Sequence, residues 1–224
     1  MSSEGSGRRQ GVFISIEGPD GAGKTTQAHM LKERLENQGY KVFLTREPGG
    51  TPIGEEIRNI LLNPRFEEMS VACEILLYSA ARSQLVKDVL RPYLERGYMV
   101  ITDRYLDSSL VYQGLAGGEE LEMIKNINLW ATAGLLPDIT FLLDIDAVKG
   151  LQRLEGKETS FSQQDRMEQK ELEFHRKVQE GFLLLASQEI KRFVVIKGED
   201  EPREVHDQLW RQFQNFLLNK ENAS

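Results

Sequence analysis

The sequence predicts an α/β fold: a three-layer α/β/α sandwich around a five-stranded parallel sheet, with a short lid. Three observations carry that expectation. β-Favouring runs alternate with helix-length amphipathic stretches nearly to the end of the 224 residues. No linker rich in Pro or Gly divides them, so residues 11–220 are expected to form a single domain, with 1–10 a flexible polar tail. The first β run, Val12 to Ile16, leads straight into a glycine-rich loop and then into a helix from Gln27 to Gln38.

That loop, Gly18-Pro19-Asp20-Gly21-Ala22-Gly23-Lys24-Thr25, fits G-x-x-x-x-G-K-[ST] in the strand–loop–helix setting that a phosphate-binding P-loop requires. Its glycines can adopt φ > 0 and let the main chain approach an anion. The helix beyond, which follows Thr26, points unpaired N–H groups and a positive dipole end at it. Lys24 would reach the β- and γ-phosphates of a nucleotide, and the Thr25 hydroxyl would hold Mg²⁺.

Bulk composition narrows the partners. With 28 Lys and Arg against 35 Asp and Glu, the net charge is −7. That argues against nucleic-acid binding, which needs a basic stripe. A polyphosphate must then be gripped by locally clustered cations. The single cysteine, Cys73, excludes an intrachain disulfide, and beside Ala72, Ile75 and Leu76 it reads as a buried structural thiol. No apolar run of about 18 residues occurs, and Met1 to Gln10 lacks the apolar core of a signal peptide. A cytoplasmic protein without membrane contact is expected.

Further along, Gly39 is placed as a helix C-cap before a second strand, Tyr40 to Thr45. That strand ends in Arg46-Glu47-Pro48-Gly49-Gly50-Thr51, a loop over the crevice where open α/β sheets bind ligands. Thr51 and Pro52 suit the cap and first position of a helix to about Leu62. A long helix is expected from Glu67 to Leu90. On it Tyr78 and Arg82 share a face, so the pair could stack a base and donate to its edge, although such spacing also fits an ordinary surface pair.

Tyr98 to Thr102 is a third strand, ending in Asp103-Arg104-Tyr105. Asp103 is placed like the Walker-B acid that helps hold Mg²⁺. Ser108, Ser109, Tyr112 and Gln113 follow on a short helical segment, and Trp130 on the next helix, Leu121 to Thr132, reads as core. A strand from Ile139 to Leu143 and a helix from Val148 to Leu154 lead to a polar stretch that breaks every period. This stretch, about 155–166, carries Lys157 between Arg153 and Arg166 and suggests a lid over phosphates. A helix from Met167 to Ser187, a fifth strand from Phe193 to Ile196 and a closing helix complete the chain. His29, His175 and His206 lack metal-ligand spacing and are assigned no metal or catalytic role.

Taken together, the chain resembles the thymidylate kinases, a family of P-loop nucleoside-monophosphate kinases. The resemblance rests on Glu17 to Thr26, Thr45-Arg46-Glu47-Pro48-Gly49-Gly50-Thr51, Gly54 to Arg58, Leu77 to Arg82, Asp103-Arg104-Tyr105 with Ser108-Ser109 and Tyr112-Gln113-Gly114, and Asp165 to Glu168. It covers nearly everything from Val12 onward. It implies ATP-dependent phosphorylation of dTMP, with Mg²⁺, by a homodimer built partly on the helix that contains Tyr78. Another monophosphate or a deoxynucleoside as acceptor, and a nucleotide-dependent switch, are the competing readings.

Position by position, the resemblance implies that Tyr78 stacks on thymine while Arg82 and Gln113 or Ser109 meet its polar edge. Tyr112 would lie under the deoxyribose, and Asp20 would meet the 3′-hydroxyl or a magnesium-bound water. Arg46, Arg58 and Arg104 would surround the acceptor phosphate. The Glu47–Pro48 peptide is expected to be cis, and the Gly198 to Pro202 loop to lie against adenine. Family members carry a catalytic arginine beside the P-loop acid or in the lid. Here Gly21 follows Asp20, so the lid must supply the cation, from Lys157, Arg153 or Arg166.

Overall fold

A computed structural model describes residues 11–155, 166–168 and 170–222. The expected tail at 1–10, Lys157 and the interior of the expected lid lie outside the described residues.

Five parallel strands, β1 (Val12–Glu17), β2 (Val42–Arg46), β3 (Met99–Asp103), β4 (Ile139–Asp144) and β5 (Phe193–Lys197), pair in the order β2-β3-β1-β4-β5. β1 sits in the centre and all six of its residues are buried. This is what a parallel strand covered by helices on both faces demands of its sequence. The pleat divides its side chains between two cores. Val12, Ile14 and Ile16 pack with Leu31 and Leu35 of α1 (Lys24–Asn37) and with Leu209 and Phe213 of α9 (Pro202–Asn222). Phe13 instead packs with Ile75 and Leu85 of α3 (Val71–Leu85), Leu94 of α4 (Arg91–Glu95) and Ile124 of α6 (Leu121–Thr132). α8 (Leu172–Gln188) closes the second face through Val178 and Phe182.

Short-range chemistry sets several boundaries. Thr51 caps α2 (Pro52–Leu61) by accepting from the Gly54 N–H at 3.0 Å, with Pro52 at the first position. Gly39 follows α1 with φ +86°, as a helix-ending glycine should. The long helix differs from expectation: it begins at Val71, where the Ser70 hydroxyl accepts from the Cys73 N–H at 3.2 Å. It then widens into a π turn at Val86–Leu90 before α4. Pro92 explains the widening, because it has no N–H to offer the carbonyl four residues back. A second π turn, Leu110–Leu115, follows the one-turn helix α5 (Leu106–Ser109). α7 (Ala147–Glu155) matches its expected place, whereas α8 starts at Leu172 rather than Met167.

Two burial expectations are overturned. Cys73 is exposed, because the buried face of α3 runs through Ile75, Ser79, Arg82 and Leu85 and turns Cys73 outward. Trp130 is 84% exposed; Ile124, Asn128 and Ala131 are the α6 residues that face inward.

Candidate active site

The C-terminal ends of β1, β2 and β3 open onto one cavity. Its wall includes the P-loop residues Asp20, Gly21, Gly23, Lys24, Thr25 and Thr26. It also includes Arg46, Pro48, Arg58, Tyr78, Arg82, Asp103, Arg104, Ser108, Ser109, Tyr112 and Gln113. Residues separated by up to about a hundred positions converge because three parallel strands end together, the position at which such sheets bind ligands.

At one end, Gly18, Gly21 and Gly23 take φ of +144°, +76° and +89°. Gly21 has a further reason to be glycine: a Cβ there would lie 2.0 Å from the Gly150 carbonyl oxygen of α7. A side chain here would require the loop or α7 to shift. The Lys24 ammonium donates to the carbonyls of Gly18 (3.1 Å) and Pro19 (2.7 Å). Burial and the neighbouring Arg104 cation push its pKa down to about 8. Thr25 Oγ1 donates to Asp103 Oδ2 at 2.5 Å. A hydroxyl and a carboxylate oxygen side by side are the hard donors that suit Mg²⁺, which ordinarily takes few protein ligands and completes its shell with water and phosphate.

Arg104 is the junction between the two ends. It is not glycine, yet its φ is +69°, a conformation that persists only when the surroundings impose it. Its own N–H bonds the Ile16 carbonyl at 3.0 Å. Its guanidinium donates to Gly18 O and Ser108 Oγ (both 3.1 Å), to Tyr112 Oη (3.1 Å) and to the Asp20 carboxylate. Tyr112 Oη also donates to Asp20 Oδ2 at 2.8 Å. Burial alone would raise the Asp20 pKa, but Arg104 and Lys24 outweigh it and carry it below the ordinary value.

At the far end, Arg46 pairs with Glu55 at 2.9 Å, and Arg58 donates to the Pro48 carbonyl at 2.9 Å. The Glu47–Pro48 peptide is cis, as expected. Arg82 is no surface residue, being 1% exposed. It donates to Glu47 (2.7 Å), Ser109 Oγ (3.1 Å), Asn128 and the Tyr105 carbonyl (3.3 Å). Burial lifts the Glu47 carboxyl to about 7 even with Arg82 opposing it.

The two arginines at the borders of the expected lid are engaged elsewhere. Arg153 holds the loop after β5 by donating to Gly198 O (2.8 Å) and Glu199 O (3.0 Å). Arg166 is buried, donating to Leu61 O at 3.0 Å and to Glu74. Among the described residues, the cavity wall includes neither.

Sequence reasoning missed the buried acids behind these cations. Glu17 ends β1, accepting from the Tyr105 N–H (2.7 Å) and from Ser108 Oγ (2.6 Å). Burial and nearby Asp107 push it up to about 7. Glu74 lies one turn before Tyr78 and two before Arg82, so extending that stripe by one turn finds it. His175, placed on a helix without a role, comes within 3.9 Å of Asp20; nothing in its local sequence signals this.

Comparison with known proteins agrees with this geometry. The family model described as thymidylate kinase matches residues 16–209. The thymidylate kinase of Deinococcus radiodurans is 49% identical over 90% of this chain and 95% of its own. That of Halothermothrix orenii is 42% identical over 93% and 99%. The crystal structure of thymidylate kinase from Ehrlichia chaffeensis superposes with a TM-score of 0.74 at 31% identity, covering 91% of this chain and 98% of that one. The chain belongs to the thymidylate kinase family.

Proposed function

We propose that this kinase, which transfers the γ-phosphoryl group of ATP to dTMP, does so in line across the cavity, with donor and acceptor phosphates meeting between Lys24 and an arginine trio. The observation that carries the reading is that Lys24, Thr25, Arg46, Arg58 and Arg104 all line one cavity. A protein with a single anion site would need only the first two.

On this reading the loop amides from Gly18 to Thr26 and the Lys24 ammonium hold the β- and γ-phosphates, and Thr25 and Asp103 hold Mg²⁺. Bound there, the ion would neutralise charge on the transferred group. Arg46, Arg58 and Arg104 receive the acceptor phosphate beside Pro48. Tyr78 lies against the base, whose polar edge meets Arg82, Ser109 and Gln113. Tyr112, held by Asp20 and Arg104, supports the sugar, and Asp20 is within reach of its 3′-hydroxyl. Ser108 orients Arg104. No strong base is needed, since the acceptor is already anionic. The barrier is charge crowding, and preformed cations in a dry site oppose it most effectively. Of the three cations considered for the transferred group, Arg153 and Arg166 have structural partners, so Lys157 has the stronger claim.

Two further readings belong here. The outward face of α3 and α6 exposes Leu76 (60%) and Trp130 beside Ser83 and Ile127. An apolar face of this kind suits a homodimer contact, and sedimentation at micromolar concentration returning only monomer would dismiss it. No helix among the described residues is long and apolar enough to cross a membrane, which fits a cytoplasmic enzyme. The decisive test of the whole reading is an acceptor panel at fixed ATP, read by ADP release. dTMP should outrun dCMP and AMP, and require Mg²⁺; the reverse order would overturn it.

A further inference from the structure

Behind the base end of the cavity, three buried side chains form a chain of hydrogen bonds with a defined polarity. Arg166 donates to Glu74 Oε2, and Gln113 Nε2 donates to Glu74 Oε1 at 2.6 Å. Glu74 is 6% exposed and Gln113 2%. Arg166 is itself anchored through its Nε to the Leu61 carbonyl at 3.0 Å, and its N–H to that of Leu62 at 3.3 Å.

The donor and acceptor inventory leaves this chain one orientation. A guanidinium can only donate and a carboxylate can only accept. With Arg166 on one oxygen of Glu74, the other oxygen must receive the NH₂ of Gln113. The amide therefore cannot turn over, and its Oε1 faces away from Glu74. That oxygen is buried with no hydrogen-bond partner among the described residues, on a side chain that lines the cavity. A buried acceptor left bare is costly, so a ligand N–H at this position is strongly favoured over a ligand lone pair.

We propose that Glu74 is a positioning residue for base selection: it locks the Gln113 amide so that a carbonyl oxygen meets the base edge, admitting a pyrimidine that carries an N3–H and rejecting one whose N3 is a lone pair. The proposal rests on the reading of Gln113 as a base contact. It makes Glu74, which need not touch substrate, a determinant of the thymine-over-cytosine choice. Reversing the polarity of Glu74 reverses that of Gln113. In Glu74→Gln, Arg166 still demands an oxygen, so the new NH₂ points at Gln113. Gln113 must then turn its carbonyl inward and present NH₂ to the base.

The test compares kcat/KM for dTMP and for 5-methyl-dCMP, whose bases match in shape and differ at N3 and C4. Wild type, Glu74→Gln and Gln113→Ala are assayed at saturating ATP. The wild type should prefer dTMP strongly. In Glu74→Gln the preference should shrink by at least about 10-fold, the scale of one buried hydrogen bond to a ligand, through the acceptor KM and with the KM for ATP unchanged. Gln113→Ala should shrink it in the same direction; if Glu74→Gln does not fold, Glu74→Asp, which draws the acceptor back from Gln113, should shrink it too, and an unchanged preference there would overturn the proposal. Equal losses for both acceptors, an unchanged preference in Gln113→Ala, or a wild type indifferent between the two bases would each overturn the proposal. A wild type that ignores dTMP altogether would instead overturn the underlying functional reading.

Discussion

The P-loop end of the cavity comes chiefly from one continuous run, Gly18 to Thr26, joined from elsewhere by Asp103 on Thr25 and by Arg104 and Tyr112 on Gly18 and Asp20. The opposite end is assembled from the loop after β2, from α2 and α3, from the turn after β3, and from α5 with the π turn that follows it. Its side chains are held by paired buried charges: Arg82 with Glu47, and Arg166 with Glu74. The first end is a backbone device and needs glycines at positive φ. The second is a side-chain device and needs acids to hold cations still before the substrate arrives. Preorganisation of the second kind is costly, because each ion must be desolvated and each pair must be complete.

That contrast predicts different failures. The largest should follow Arg82→Ala, which leaves Glu47 buried without its partner. Stability should fall by about 3 kcal/mol, at the low end for a broken buried pair because Glu47 can take up a proton. Denaturant titration would show it, and a loss under about 1 kcal/mol would mean that the acceptor end is not built on this pair. Lys24→Ala should leave stability and dTMP affinity nearly untouched while lowering kcat by at least about 10²-fold. Near-normal turnover would remove Lys24 from the phosphoryl-transfer role.

A subtler effect concerns pH. The Glu17 carboxyl rises from its ordinary 4.5 to about 7 in the folded protein. The native state thus keeps a proton that the unfolded chain has lost between these values, and stability declines as pH rises through that window. Glu17→Gln should flatten this part of the stability–pH profile. A slope identical to wild type would mean that the titrating group lies elsewhere, with Glu47, also lifted to about 7, the first to examine.

The same contrast explains what could be read from the sequence. The P-loop, the parallel sheet, the Thr51 and Pro52 helix start and the presence of Arg46, Arg58 and Arg104 on the cavity wall were all legible, because each depends on a local pattern or on a family motif. The acids Glu17, Glu47 and Glu74 were not assigned the roles they have here. A carboxylate on a strand end or helix face looks the same in sequence whether it meets water or a buried guanidinium. Cys73 and Trp130 were misjudged for a related reason. Their neighbours are apolar, but which stripe of a helix turns inward depends on what packs against it, and the outward stripe of α3 and α6 is itself apolar.

The central claim is that donor and acceptor phosphates occupy separate seats built by separate residues. The most direct measurement is calorimetric titration of the Arg46→Ala/Arg58→Ala double variant with dTMP and, separately, with ATP and Mg²⁺. Arg46 donates to Glu55 and Arg58 to the Pro48 carbonyl, both on the β2–α2 side of the cavity. The account predicts dTMP affinity reduced by about 10-fold or more, the worth of a charged hydrogen bond, with ATP affinity unchanged. Weakened ATP binding with dTMP binding intact would contradict it.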